Sequence, residues 1–342
     1  MAIGRLDGIS ALLPSPGIFL YAYVRKEAVV SSQIEGTQSS LSDLLMYEME
    51  AAPGVPVDDV QEVSNYVAAL DHGLKRLREG FPLSLRLIKE IHGVLMSGVR
   101  GGTKEPGEFR RSQNWIGGSR PGTARFVPPP PDELMNCLGA LEKFIHNDPF
   151  ATPALIKAAL THVQFETIHP FLDGNGRLGR LLITFLLCAE GVLNEPLLYL
   201  SLYFKEHRSE YYDHLQNVRR NGDWEAWLAF FLTGVKRTAE QAVSAARRLR
   251  TMFTADVERI SMAGRASGNM IRVHQLMQTQ PIISVIGLSD KLDMAFNTAT
   301  QSLHKLQTLG IVREITGGKY GRLYAYDAYL SILSEGTEPL RG

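Results

Sequence analysis

The chain has 342 residues, and 36 Lys and Arg balance 36 Asp and Glu, so it exerts no whole-protein attraction on nucleic acid or an anionic membrane. Hydrophobic residues make up 44% of it, enough for a sizeable core in two or three domains. Cys137 and Cys188 fit no disulfide or zinc pattern and read as buried thiols. With no signal-like N-terminus and no apolar run of spanning length, a cytoplasmic setting without membrane contact is expected.

In chain order, a Pro- and Gly-containing lead is followed by predicted helices over Tyr23–Ile34 and Leu41–Glu50, then a loop with Pro53, Gly54 and Pro56. Val63, Tyr66, Val67, Leu70, Leu74 and Leu77 mark one helical stripe, and Leu85, Ile88, Ile91, His92 and Leu95 another. His92, inside its stripe, reads as a satisfied packing histidine. Between Phe109 and Pro131 the β-formers Ile116 and Val127 flank a stretch containing Gly117, Gly118 and Ser119, which predicts a hairpin. Pro128–Pro131 cannot continue a ladder and must leave it. Helices are expected over Leu134–Ile145 and Ala154–Ile168, the latter with Thr152 as N-cap and Pro153 at its first position.

The stretch HPFLDGNGRLGR, from His169 to Arg180, is the most informative. Pro170 pushes His169 out of helical geometry, so the preceding helix ends there, with the imidazole aimed and partly exposed. Its ordinary pKa lies near neutrality, which suits a base that deprotonates a hydroxyl. Gly174, Asn175 and Gly176 bend the chain so that N–H groups converge on an anion. A helix then begins, with Leu178, Leu181, Leu182, Phe185 and Leu186 on its buried face and Gly191 closing it. Asp173 in this anion-attracting loop makes sense as a ligand of Mg²⁺ bridging phosphates. Arg177 and Arg180 share one helix side and oppose the dipole unless a polyphosphate sits there. A nucleoside triphosphate with Mg²⁺ is the ligand that needs all of these groups.

Further on, two more helices are expected over residues 224–262, with a solvated patch at Arg247, Arg248 and Arg250. A boundary falls at Gly264–Gly268. Beyond it, helices over Met270–Met277, Ser284–Leu292 and Asn297–Leu309 precede a hairpin of Ile311–Ile315 with Leu323–Tyr326, the pattern of a winged helix. Ser302, Lys305 and Gln307 would give the third helix its polar face. His304, Lys305, Arg313, Lys319 and Arg322 give it modest basic character, and a DNA contact and a protein contact both stand as readings.

At His169–Arg180 the chain resembles the Fic family, whose motif HPFx[DE]GNGRxxR it matches at every position. The resemblance implies a mainly all-α fold, a Fic helical bundle with a small β-hairpin flap and a C-terminal winged helix. It implies transfer of AMP from ATP to a protein hydroxyl. His169 would be the base, Asp173 the Mg²⁺ ligand, Gly174–Gly176 the anion cradle, Arg177 a phosphate clamp and Arg180 the γ-phosphate clamp. Ser31-Ser-Gln-Ile-Glu35-Gly36 resembles the family's inhibitory motif, [ST]xxxE[GN]. Ser31 and Glu35 share a helix face, and Glu35 sits at the helix's negative end, where a carboxylate wants a cationic partner. The resemblance makes that partner Arg180, so Glu35 would obstruct productive ATP binding. Tyr212 matches a position that lines the adenine. The flap, with Ile116, Gly117, Gly118, Ser119 and Val127, would pair with an unidentified target's main chain. Self-modification and a homodimer also accompany the resemblance.

The expected division is an N-terminal region 1–105 with the inhibitory helix at about 23–36, a Fic core 106–225, a helical linker 226–264 and a winged helix 265–342. The core would hold the flap at 109–131 and the catalytic loop at 169–180. Competing readings are a DNA-binding regulator, a Fic enzyme with another donor nucleotide, and AMP removal with Glu35 positioning a water.

Overall fold

Two helices, Pro16–Ile34 and Asn175–Ala189, organise the molecule and bury polar and charged residues together with their apolar ones. The structure is a computed structural model describing residues 2–9, 16–48, 57–98, 104–264, 267–318 and 321–339. Pro53, Gly54, Pro56 and Lys319 lie outside these described residues. The fold is mainly all-α, with one small antiparallel sheet.

The N-terminal half contributes α1 (Ala2–Ile9), α2 (Pro16–Ile34), α3 (Leu41–Tyr47), α4 (Val57–Arg78) and α5 (Leu85–Leu95). α3 starts on a capping box in which Ser40 and Asp43 satisfy each other's backbone N–H. Ser84 caps α5. α2 extends further toward the N-terminus than expected and passes through the interior. Its Ala28, Val29, Val30 and Ile34 are buried, and so are its polar Glu27, Ser31, Ser32 and Gln33. The helix ends where Gly36 N–H donates to Gln33 O and Thr37 N–H to Ser32 O, which leaves Glu35 at the terminal position.

Next come α6 (Leu134–Ile145), α7 (Ala154–Ile168) and α8 (Asn175–Ala189), the last two packed as the central hairpin. Pro153 itself caps α7, one residue later than expected, so Thr152 stays outside. The expected stripe on α8 is buried, but so are Arg177, Arg180 and Thr184 on its other sides. α8 is therefore a core helix with charges inside it. α9 (Ser201–Glu206) and α10 (Arg208–Asn221) follow.

The two helices expected over 224–262 are one helix, α11 (Trp224–Ser261), about 57 Å long at 1.5 Å per residue. Gly234 does not break it; it is the point where the Tyr203 ring packs against the helix. Leu249 is buried while Arg247 and Arg250 stay exposed, and Arg248 pairs with Glu335. Both cysteines are free and half-buried rather than buried.

The C-terminal part runs α12 (Ser267–Thr279), β1 (Ile282–Ser284), α13 (Val285–Leu292), α14 (Phe296–Thr308), β2 (Arg313–Glu314), β3 (Leu323–Ala325) and α15 (Asp327–Ser334). The sheet order is β1-β3-β2, with Ile283 opposite Tyr324 and Glu314 opposite Tyr324. This is a winged-helix arrangement. The expected hairpin gains a third strand, β1, that three residues of sequence did not announce. Ser302 is buried and donates to Thr298 O, so it does not belong to the polar face of α14. Arg313 is held by Asp327, which reduces the basic character of the wing.

One buried apolar cluster runs from Leu6 to Leu333 without a break. Lys205 of α9 donates to Gln33 Oε1 at 2.7 Å, to Gly336 O at 3.1 Å and to Glu338 O. Gln33 Nε2 in turn donates to Thr337 O at 2.8 Å. The tail after α15 is thus tied to the last turn of α2. No helix among the described residues is long and apolar enough to cross a membrane.

Candidate active site

His169 closes α7 in the left-handed region, at φ 49° and ψ 61°, because Pro170 excludes the helical alternative. A non-glycine residue held there is strained, and the surroundings hold it. Its carbonyl accepts from Arg110 Nε at 3.0 Å and Asn114 Nδ2 at 3.1 Å. Burial, reinforced by the nearby Arg219 charge, lowers its pKa to about 4, well below the neutral range expected from an aimed, partly exposed imidazole. The ring is neutral at pH 7 and able to take a proton.

The loop after it is braced from within. Phe171 N–H donates to Asn175 Oδ1 at 2.9 Å, and Asn175 Nδ2 returns to Phe171 O at 2.8 Å. Asn175 is buried, so its side chain staples the loop and only its backbone N–H is available to an anion. His92 stacks on Phe171 with centroids 3.7 Å apart. Its Nδ1 accepts Gly107 N–H at 2.8 Å, so Nε2 carries the proton and donates to Asp173 O at 3.0 Å. The packing histidine therefore holds the loop.

Helix α8 begins inside the Gly-Asn-Gly turn rather than after it. Gly174 is its N-cap at φ 74°, where a Cβ would press on Met96 Sδ. The helix's positive end thus opens at Asn175 and Gly176. At Gly176 a Cβ would overlap Glu35 Oε1, so glycine is what lets that carboxylate lie against the cradle.

Arg180 Nη2 donates to Glu35 Oε1 at 2.7 Å, and Ser31 accepts at Oγ from Nε at 2.8 Å and at its carbonyl from Nη2 at 2.9 Å. Arg177 does not share these partners. Its Nη1 donates to Glu62 Oε2 of α4 at 3.0 Å, with both side chains buried. The two guanidiniums, three residues apart, are held by carboxylates from two different N-terminal segments. Asp173 sits at the rim, where Oδ2 accepts from Lys104 Nζ at 3.1 Å and Oδ1 from Gly174 N–H at 2.7 Å.

One pocket is lined by Glu35, Asp59, Glu62, His169, Asp173 and the turn Gly174–Arg177. Tyr212 does not line it. Its ring packs on Tyr211 at 5.1 Å, with Arg208 over it at 5.5 Å. Burial, with Glu35 next, raises the Tyr212 hydroxyl to about 12, and Arg180 opposes that shift, so it stands beside the Glu35–Arg180 pair. The flap is much shorter than a two-stranded hairpin. Ile116 pairs with Phe126, not Val127, in a single bridge, and Pro121–Thr123 form a 3₁₀ turn. The proline run beyond it has no N–H to give, and Gly117 and Gly118 turn the chain at positive φ. Val127 and Trp115 are exposed. Arg219 of α10 lies 4.5 Å over the Phe126 ring and donates to Glu166 O at 2.9 Å, tying the flap to the end of α7.

Residues 1–75 match the Fic/DOC family N-terminal region, and residues 82–187 match the Fic/DOC family itself. The chain belongs to the Fic/DOC family. Both the Fic signature and the helix that places Glu35 on Arg180 fall within these matched regions. The chain is 32% identical over 211 residues to a protein named protein adenylyltransferase Fic from Aedes aegypti, covering 60% of this chain and 39% of that protein. It is 28% identical over 274 residues to the protein of the same name from Drosophila melanogaster, covering 78% and 52%. The chain thus spans about two fifths to half the length of these curated relatives. Among solved structures, a Fic family protein from Desulfovibrio desulfuricans matches with TM-score 0.59 at 20% identity, over 95% of this chain and 93% of that one. A Fic domain containing signaling protein from Bacteroides thetaiotaomicron matches with TM-score 0.58, over 72% and 97%. The fold shared with the Desulfovibrio desulfuricans protein thus covers nearly the whole chain.

Glu62, Glu166, Arg219, Arg110 and Asn114 were not singled out from sequence. Glu166 had a usable signal, its position three residues before His169 on one helix. Glu62 had none, lying 115 residues from its partner.

Proposed function

We propose that the chain is a protein adenylyltransferase restrained by Glu35. The observation that carries this reading is the convergence on one pocket of His169, Asp173 and the helix-terminal turn Gly174–Gly176, flanked by Arg177 and Arg180. A hydroxyl oxygen of the target attacks the α-phosphorus of ATP, the bond to the β-phosphate breaks and pyrophosphate leaves. His169 takes the hydroxyl proton. The turn and the two arginines hold phosphate oxygens, so the chain's work is orientation and charge stabilisation.

Asp173 would hold the Mg²⁺ that accompanies the nucleotide: it is about one-third exposed at the rim, with Lys104 Nζ at 3.1 Å and Arg177 Nη2 at 3.9 Å as its cationic neighbours. Mg²⁺ would supply charge neutralisation across the phosphates.

The Glu35–Arg180 pair is the restraint, since it occupies the guanidinium that would meet the γ-phosphate. Tyr212, beside that pair, is assigned to the wall of the base site. The target's segment is assigned to the Ile116–Phe126 edge, which exposed Trp115 and Val127 flank. Residues 1–105 supply the restraint, 106–225 the chemistry, and 265–342, joined through the helix of 226–264, brace the restraint.

Intact-mass measurement of wild type and Glu35→Gly after incubation with ATP and Mg²⁺ tests the reading. Glu35→Gly is expected to gain the mass of AMP, wild type little, and Glu35→Gly/His169→Ala none. A Glu35→Gly protein that neither gains mass nor binds ATP in calorimetry removes the proposal.

A further inference from the structure

Glu166 is a carboxylate in the core with one oxygen that no hydrogen bond satisfies. It lies on α7 and is 6% exposed, and its Oε1 has no hydrogen-bond partner among the described residues. Arg219 bonds its backbone carbonyl, not its carboxylate. A buried carboxylate oxygen left without a hydrogen bond is costly, so it calls for an explanation. The neighbouring helix makes room for it: at Gly179 of α8 any Cβ would overlap Glu166 Oε1.

His169 is the residue whose imidazole the carboxylate faces along its own helix. Glu166 Oε2 lies 4.0 Å from His169 Nδ1, and Nδ1 is likewise buried without a partner. Oε1, the oxygen without a partner, lies against Gly179, while Oε2 of the same carboxylate faces the unpartnered Nδ1 three residues on, across a gap about 1 Å longer than a hydrogen bond. A small rotation of the Glu166 side chain closes it.

We propose that Glu166 is the positioning partner of His169: its carboxylate accepts the Nδ1 proton, fixing the tautomer whose Nε2 takes the proton of the attacking hydroxyl. This rests on the adenylyl-transfer reading for the identity of the hydroxyl, but the pairing itself is a property of the chain. A base whose second nitrogen is held this way keeps its orientation, and the imidazolium formed in the reaction gains a counter-charge. Four charged groups face His169: Glu166 on its own helix, Arg219 of α10, Glu35 at the end of α2 and Arg110 of the flap segment. Arg180 of α8, Arg219 and Glu35 face Glu166, with the Tyr211 hydroxyl of α10 beside it. Burial raises the Glu166 carboxyl to about 7, with Arg180 opposing, so it ionises across the range in which His169 must accept a proton. The Glu166 backbone carbonyl also faces the imidazole, and it is the rival for the Nδ1 proton.

The test compares Glu35→Gly with Glu35→Gly/Glu166→Gln and Glu35→Gly/Glu166→Asp as full-length proteins, by nitrogen-15 NMR of the imidazoles and by the pH dependence of self-modification with ATP and Mg²⁺. With glutamine, kcat is expected to fall about ten- to a hundredfold with KM for ATP changed less than about twofold. The acid limb of kcat/KM should move to lower pH, and the His169 Nδ1 resonance should lose its carboxylate-bonded shift. Aspartate should restore part of kcat. Unchanged histidine resonances and an unchanged pH profile overturn the proposal and leave the backbone carbonyl as the orienting group. If Glu35→Gly transfers no AMP, the functional reading fails, while the NMR comparison still decides the pairing.

Discussion

Glu35 Oε1 accepts from Arg180 Nη2 at 2.7 Å across 145 residues of chain, and the Ser31 hydroxyl and carbonyl complete the grip on the same guanidinium. Arg180 is buried while Glu35 is about one-third exposed, so a ligand reaching the pocket meets the carboxylate first. Removing the hydroxyl in Ser31→Ala deletes one charge-assisted hydrogen bond, of the order of 1.5–3 kcal/mol. Its rate of AMP incorporation should lie between those of wild type and Glu35→Gly. A rate equal to wild type would show that Glu35 holds Arg180 unaided.

Arg177 depends on Glu62 in the same way. Truncation in Glu62→Ala leaves the buried guanidinium with the more distant Asp173 carboxylate, 3.9 Å away, and should cost up to about 3–5 kcal/mol. Urea unfolding should show that loss, and Glu62→Gln should lose less because it keeps an acceptor. Saturating ATP with Mg²⁺ should return part of the stability of Glu62→Ala, since phosphate would then face Arg177.

Glu27 gives a pH dependence. Burial raises its carboxyl to about 7, and hydrogen bonds from Ser201, the Arg180 charge and the Tyr66 hydroxyl oppose the shift. A raised folded pKa means the folded state holds the proton longer. The associated stability is therefore present below the ordinary carboxyl range near pH 4.5 and is lost as pH rises through about 7. Glu27→Gln should gain on wild type by about 1–3 kcal/mol between pH 5 and pH 8 in urea melts. A pH-independent difference would contradict it.

The tail contact makes a further prediction. Lys205 joins Gln33 on the last turns of α2 to the carbonyls of Gly336 and Glu338. Lys205→Met keeps the apolar stem and removes three donations. Amide hydrogen exchange at Ser32–Gly36 should quicken, and AMP incorporation should rise above wild type. Unchanged exchange would mean the tail does not hold the helix.

The histidines His92, His162 and His169 are all lowered by burial, to about 4, 3 and 4. Depressed folded values mean their stability is present above the ordinary histidine pKa of about 6.5 and is lost as pH falls through about 4. His162→Asn, at a core site between Gly179 O and Tyr211 Oη, should reduce the slope of acid unfolding while lowering stability at pH 7.

The residues themselves determined the chemistry of the loop and the ends of its helices. Pro170 stops α7 at His169, glycine at 174 permits the turn, and the apolar spacing from Leu178 to Leu186 requires a buried helix behind it. The winged-helix order was legible for the same reason: each element is bounded by residues that start or stop it locally. Which carboxylate meets Arg177 was a tertiary matter. Arg177 and Arg180 are equivalent by spacing; the family resemblance gave Arg180 to Glu35, while the path of α4 past α8 alone gives Arg177 to Glu62. Burial was tertiary too. It lowered the His169 pKa below the neutral range, gave the Asn175 side chain a stapling role beside its backbone N–H and left Glu166 facing an imidazole. Desolvation depends on everything packed around an atom, and no window of neighbouring sequence contains that.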